Sequence, residues 1–282
     1  MLAPTRRETM RFLYHRTEWG QEYQFEPYII NTPQNMKDCK AYCNQNPLIS
    51  VKLILGPNIF DEMLELTEQD ESFPNQIKAI TFQASDEEKR STKFNGTHLY
   101  KYTALKKLDL SGATGVTFEN LRKCIVANSG LIYLGLRGFK YNSMKNFMEL
   151  LKVIPENLLM LAVPNWELQS GNKKPWSSIK TNVLKKVCHI DFTGTGVASE
   201  FVRALISNSD NLRRIYGISE EHILTNNITT DLRDNILKKI DPPAGDNTTP
   251  LEFDQNPDNR DTFLGPNITL FEQLSEIYGI TL

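Results

Sequence analysis

The feature that most constrains this chain is a six-residue pattern, apolar-x-x-apolar-x-apolar, that returns at nearly fixed intervals. It reads Leu48-x-x-Val51-x-Leu53, Ile77-x-x-Ile80-x-Phe82, Leu105-x-x-Leu108-x-Leu110 and Leu131-x-x-Leu134-x-Leu136. It continues as Leu158-x-x-Leu161-x-Val163 and Val187-x-x-Ile190-x-Phe192. Leu212-x-x-Ile215 is a decayed copy with Gly217 in its last apolar slot, and Phe25-x-x-Tyr28-x-Ile30 is a degenerate first one. Between Leu48 and Leu212 the successive offsets are 29, 28, 26, 27, 29 and 25 residues. One hexad is uninformative; six offsets within so narrow a band mark a repeat architecture.

Each unit has two halves with different periods. The fourth and sixth hexad positions lie two apart, so both point to one side of a strand and their neighbours to the other. The stretch that follows changes to helical spacing. After Leu110 come Phe118, Leu121 and Ile125, with Thr117 as N-cap; after Leu136, Ser143 caps a helix carrying Met144, Phe147, Leu151 and Ile154, ended by Pro155. Asn58 precedes Ile59, Met63 and Leu66, and Val197, Phe201 and Leu205 fall four apart. The unit from Ile77 to Thr103 lacks clean helical spacing, which predicts an irregular outer segment. A single unit cannot cover its own apolar face, so units stack and share one core. The expected fold class is therefore α/β: a solenoid of about seven repeats, with a curved parallel sheet on the concave face and helices on the convex one.

These hexads at this spacing resemble leucine-rich repeats, and the helical outer segments resemble the ribonuclease-inhibitor-like subclass. The resemblance covers residues 48–218. In one respect the chain departs from the family, which usually has Asn or Cys at the ninth position. Here that position reads Gly56, Ser85, Ala113, Phe139, Trp166, Thr195 and Glu220. Without an asparagine ladder, the turns must be closed by backbone groups or water.

The regions outside the repeat read as caps. Residues 1–47 carry helical candidates at Glu8–Arg16 and Met36–Cys43, and residues 219–240 a capping helix around Asp231–Ile240. A Pro-, Gly- and Asp-rich break follows at 241–250. Residues 241–282 hold eight acidic residues and one basic one, Arg260, a net of −7; the whole chain is −2, so the remainder is +5. That asymmetry favours a tail, with a last helix candidate at Thr269–Tyr278, draped on the solenoid. The near-neutral total excludes a generally basic nucleic-acid binder, and no apolar run reaches the roughly 20 residues of a membrane span. Four cysteines in 282 residues are too few for a disulfide framework and read as reduced thiols of a cytoplasmic protein.

Enzymatic signatures are absent from the sequence: there is no GxGxxG after a strand, no GxxxxGK[ST], no GxSxG and no HExxH. His189 and Asp191 project together from one strand, but Cys188 between the strands' faces points elsewhere and cannot act as their nucleophile. Cys39 and Cys43 lie one helical turn apart with no second ligand pair nearby, so they read as the buried side of a cap helix rather than a zinc site. Cys124 reads as core, and Glu87-Glu88-Lys89-Arg90 as a solvated charge cluster. No cofactor or metal is expected.

The concave face remains. Hexad positions 3, 5 and 7 point away from the core, and give Lys107 and Asp109, Tyr133 and Arg137, Met160, His189 and Asp191, Arg214 and Tyr216 as the partner-facing array. Phe139 and Trp166, on the loops leaving two of the strands, either join it or pack over the turn where the family's Asn is missing. Tyr, Trp and Arg are the types enriched at binding hot spots. The expected function is non-catalytic binding of another protein, with the chain monomeric on its own. The resemblance to ribonuclease inhibitor implies a regulator that grips an enzyme. Short free-standing proteins of this kind also resemble Legionella-type leucine-rich-repeat effectors sent into a host cell, with the C-terminal segment a candidate translocation signal. The competing expectations are a ubiquitin-ligase substrate receptor and an enzyme using His189 and Asp191.

Overall fold

The computed structural model describes residues 26–254, apart from 68–69, 71, 83–93, 169–183, 210, 225–227 and 244–249. The helical candidates at 8–16 and 269–278 and the charge cluster at 87–90 lie outside the described residues.

The described strands are β1 (Glu26–Ile30), β2 (Val51–Leu55), β3 (Ile77–Phe82), β4 (Lys107–Asp109), β5 (Tyr133–Gly135), β6 (Met160–Ala162), β7 (His189–Asp191), β8 (Arg214–Tyr216) and β9 (Glu252–Asp254). They form one sheet in strictly sequential order, every neighbouring pair parallel. Successive parallel neighbours require each connection to return over the same face, which is the geometry of a solenoid. The chain is thus an α/β leucine-rich-repeat-type solenoid. Its sheet has nine described strands against the seven repeats expected, because the degenerate copy at Tyr28–Ile30 forms β1 and Glu252–Asp254 adds β9.

From β3 on, the fourth hexad residues align across the sheet, and Leu53, the sixth residue of the Leu48 hexad, takes their register in β2. Leu53, Ile80, Leu108, Leu134, Leu161, Ile190 and Ile215 are register partners in turn and are all fully buried in one core. Each contributes about 1.5–3 kcal/mol by leaving water. Against them pack α1 (Pro33–Gln45), α3 (Phe118–Ala127), α4 (Met144–Leu151), α5 (Ser199–Asn208) and α7 (Thr230–Ile240); short helices α2 (Phe73–Gln76) and α6 (Glu220–Leu224) complete the wall. Thr117, Ser143 and Thr229 cap α3, α4 and α7 by accepting from the backbone N–H three residues on, as the spacing predicted for the first two. Thr32 and Asn35 form a reciprocal capping box on α1.

Two local expectations fail. Leu48 is 97% exposed rather than the first apolar residue of its repeat. A turn in which Ile49 N–H donates to Asn46 O delays the strand, so the buried series there is Val51, Leu53 and Leu55. The helix expected around Ile59, Met63 and Leu66 is only a 3₁₀ turn, Asp61–Leu64. Buried Asp61 accepts from the backbone N–H groups of Asn95 and Thr97, both at 2.7 Å, and this ties the segment to the next repeat.

The turns lack the family's asparagine and are closed by backbone. Ala113, Phe139, Trp166 and Thr195 each donate N–H to the carbonyl three residues earlier. The residue before each is Gly112, Gly138, Asn165 and Gly194, and all four adopt positive φ, a conformation that glycine tolerates best and asparagine next.

Candidate protein-binding face

The strand register generates two rows on the sheet face turned away from the core. Lys52, Ala79, Lys107, Tyr133, Met160, His189, Arg214 and Glu252 form the first. Ile54, Thr81, Asp109, Gly135, Ala162, Asp191, Tyr216 and Asp254 form the second. Neighbours in a row sit about 4.8 Å apart, so long side chains lie on one another.

This packing changes the expected picture of an open surface. Tyr133 is only 2% exposed and Tyr216 1%, and Met160, His189, Asp109 and Asp191 are buried as well. The Lys107 ammonium lies 4.5 Å from the centre of the Tyr133 ring, a cation–π contact. The Tyr133 hydroxyl donates to Asp109 Oδ2 at 3.4 Å, over Gly135, where a Cβ would fall 2.9 Å from that hydroxyl. Burial, and after it the Asp109 carboxylate, push the Tyr133 phenol well above its usual range. Arg214 lies against the Tyr216 ring and pairs with Glu252. The half-buried members are Lys107, Arg137 and Arg214.

Two strand ends share a device. Asp109 Oδ1 accepts from Ser111 N–H at 3.1 Å, and Asp191 Oδ1 from Thr193 N–H at 2.9 Å. The recurring Asp-x-Ser/Thr-Gly is therefore a turn-closing element as well as part of the face. Asp191 Oδ2 is buried with no hydrogen-bond partner among the described residues.

His189 shares the face with Asp191, as its strand position implies, while Cys188 turns to donate to Lys186 O at 3.3 Å. Burial, with Arg214 and Arg213 nearby, lowers the His189 imidazole to about 4. It is neutral at physiological pH and a weak general base there.

Phe139 and Trp166 do not belong to the partner-facing set. Both are fully buried in the core, with their rings stacked 6.0 Å apart. The backbone turn leaves the ninth position free to send a large ring inward, from where Trp166 also donates its indole N–H to Leu136 O. Cys39 and Cys43 line the buried side of α1, and the Cys43 thiol is lowered chiefly by its hydrogen bond with Cys39. Burial pushes Cys124 up to about 12. Among the described residues no three His, Cys, Asp or Glu side chains converge as metal ligands, and no helix is long and apolar enough to cross a membrane.

The sequence does not single out a cluster of lysines at the β2–β4 end. Lys52 and Lys107 flank Ala79 in the first row, and Lys78 and Lys106 stand at the rim where β3 and β4 begin. Burial, and next the neighbouring Lys107, lower Lys52 to about 8; Lys78 is lowered by burial and by Lys106. Only the strand register brings Lys52 and Lys107 together, since they come from different repeats; Lys78 and Lys106 form a second pair.

No protein-family model and no curated protein matches this chain. Among solved structures it is similar to the leucine-rich repeat-containing protein LegL7 from Legionella pneumophila, at 12% identity and a TM-score of 0.35, over 67% of this chain and 72% of that one. The fold assignment rests on the sequential parallel sheet and its aligned hexads.

Proposed function

We propose that this chain is a non-catalytic protein-binding module that engages a partner through the concave face of its sheet. The observation that carries the reading is the pair of polar and aromatic rows, which cross β2 to β9 yet stand apart from the core cluster. A rigid parallel sheet presents such an array with little ordering entropy on association. The partner-facing set is Lys107, Asp109, Tyr133, Arg137, Met160, His189, Asp191, Arg214 and Tyr216. A neutral, buried His189 speaks against the enzymatic alternative. The finer reading is a regulator that binds an enzyme and acts in the cytoplasm, its own or that of a host cell.

The test is affinity capture with the tagged full chain from its own cells and from a host-cell lysate. Because Tyr133 and Tyr216 are buried, the informative variants are Arg137→Ala and the conservative Tyr133→Phe and Tyr216→Phe. A stoichiometric partner, lost from these variants while their unfolding midpoints hold, supports the reading. Recovery of a ligase adaptor would favour a substrate receptor, and a partner retained by all of these variants and by Lys52→Gln/Lys107→Gln would remove the concave face from consideration.

A further inference from the structure

The lysine cluster at one end of the concave face has features that an ordinary solvated charge run lacks. Lys52, Lys78, Lys106 and Lys107 are all half-buried, and among the described residues none has a carboxylate within salt-bridge distance. Lys52 and Lys107 stand two strands apart in one row, separated only by the methyl group of Ala79. Like charges held this way, partly out of water, repel one another, and a pairing anion relieves both costs.

We propose that this end of the concave face, where Lys52 and Lys107 flank Ala79, is the docking site for an acidic peptide segment of a partner protein. The inference rests on the protein-binding reading and narrows it to a class of partner. Carboxylates spaced along an extended segment match ammonium groups on successive strands. Single-stranded nucleic acid is the competing polyanion, and the experiment below separates the two. An acidic partner would offset with its own charge the lowering that burial imposes on Lys52 and Lys107, which Asp109 offsets only in part.

The experiment uses the full chain and a fluorescein-labelled deca-glutamate peptide, read by fluorescence anisotropy at low and at physiological salt. The expected result is saturable binding that weakens with salt and falls at least fivefold in Lys52→Gln/Lys107→Gln. Changing the exposed lysines of another surface, Lys123→Gln/Lys140→Gln, should leave it unchanged. Chemical denaturation of both variants checks that the fold survives; should Lys52→Gln/Lys107→Gln fail to fold, Lys52→Gln alone carries the same test. Absence of binding, or equal loss in both pairs, overturns the proposal. So does tighter, Lys52- and Lys107-dependent binding of a single-stranded DNA of equal charge. Binding that appears only after Asp258, Asp261, Glu272 and Glu276 are neutralised would assign the site to the chain's own acidic segment instead. A chain that ignores the peptide yet captures a partner through Arg137 overturns this inference alone. Peptide binding without any captured partner removes the broader reading.

Discussion

Trp166 donates its indole N–H to the carbonyl of Leu136 at 3.1 Å, joining the turn after β6 to the end of β5 one repeat earlier. The same ring stacks on Phe139 and meets Phe147 edge-on, 6.1 Å away. Where the repeat family usually places an asparagine to satisfy turn backbone, this chain has an aromatic side chain that does so across repeats and fills the core as well. Trp166→Phe should keep most of the packing and lose the hydrogen bond, costing about 0.5–1.5 kcal/mol. Trp166→Ala should cost about 3–5 kcal/mol through the cavity left behind. Urea unfolding midpoints of the two variants measure the difference, and equal losses would show that the ring's packing is immaterial and that the hydrogen bond carries the whole effect.

Leu134 lies at the centre of the aligned leucine row, between Leu108 and Leu161. It is fully buried, with neighbours on both strands that cannot collapse into its space. Leu134→Ala should lower stability by about 2–5 kcal/mol. Arg137→Ala, three residues on and half-buried, should stay within about 0.5 kcal/mol of the parent. The pair separates a core position from a face position on one strand and its exit.

Asn128 is 1% exposed and does the work of a small scaffold behind β4. Its Oδ1 accepts from Leu105 N–H, and its Nδ2 donates to the carbonyls of Tyr102 and Cys124, each at 2.8 Å. Asn128→Ala leaves buried backbone groups unsatisfied and should cost about 2–4 kcal/mol. Asn128→Asp should be worse at neutral pH, because a carboxylate oxygen would then face two carbonyls. Thermal unfolding at pH 7 reads the order of the two.

What the sequence makes legible divides from what it hides along the range of the interaction. The hexad spacing predicts the strands from β2 to β8, and the caps Thr117 and Ser143 lie where helical spacing starts, because these depend on period and on residues three apart. The 3₁₀ turn at Asp61–Leu64 is not legible, because it answers to backbone N–H groups more than thirty residues away. On the face, the alternation of Tyr133, Gly135 and Arg137 gives direction but not burial, which depends on Lys107 and Asp109 from the preceding repeat. Phe139 and Trp166 could have been assigned to the core from Gly138 and Asn165 before them. A residue tolerant of positive φ recurs at that position in four repeats and marks where the turn reverses.

His189 gives the fold a pH dependence of definite sign. Its imidazole is held neutral by burial, and its pKa falls to about 4 in the folded chain, against 6.5 as the ordinary value. The unfolded chain takes up the proton first as pH falls. The stabilising contribution is therefore complete above about pH 6.5, declines as pH falls, and is exhausted below about pH 4. The span is on the order of 3 kcal/mol, reached only if the neighbouring Arg213 and Arg214 keep their positions. Urea midpoints at pH 7.5, 6, 5 and 4 should fall steadily for the parent. His189→Asn, which cannot titrate, should show a flatter limb over the same interval. If the two profiles run parallel, the acid sensitivity belongs to carboxylates elsewhere, and His189 is protonated in place without cost.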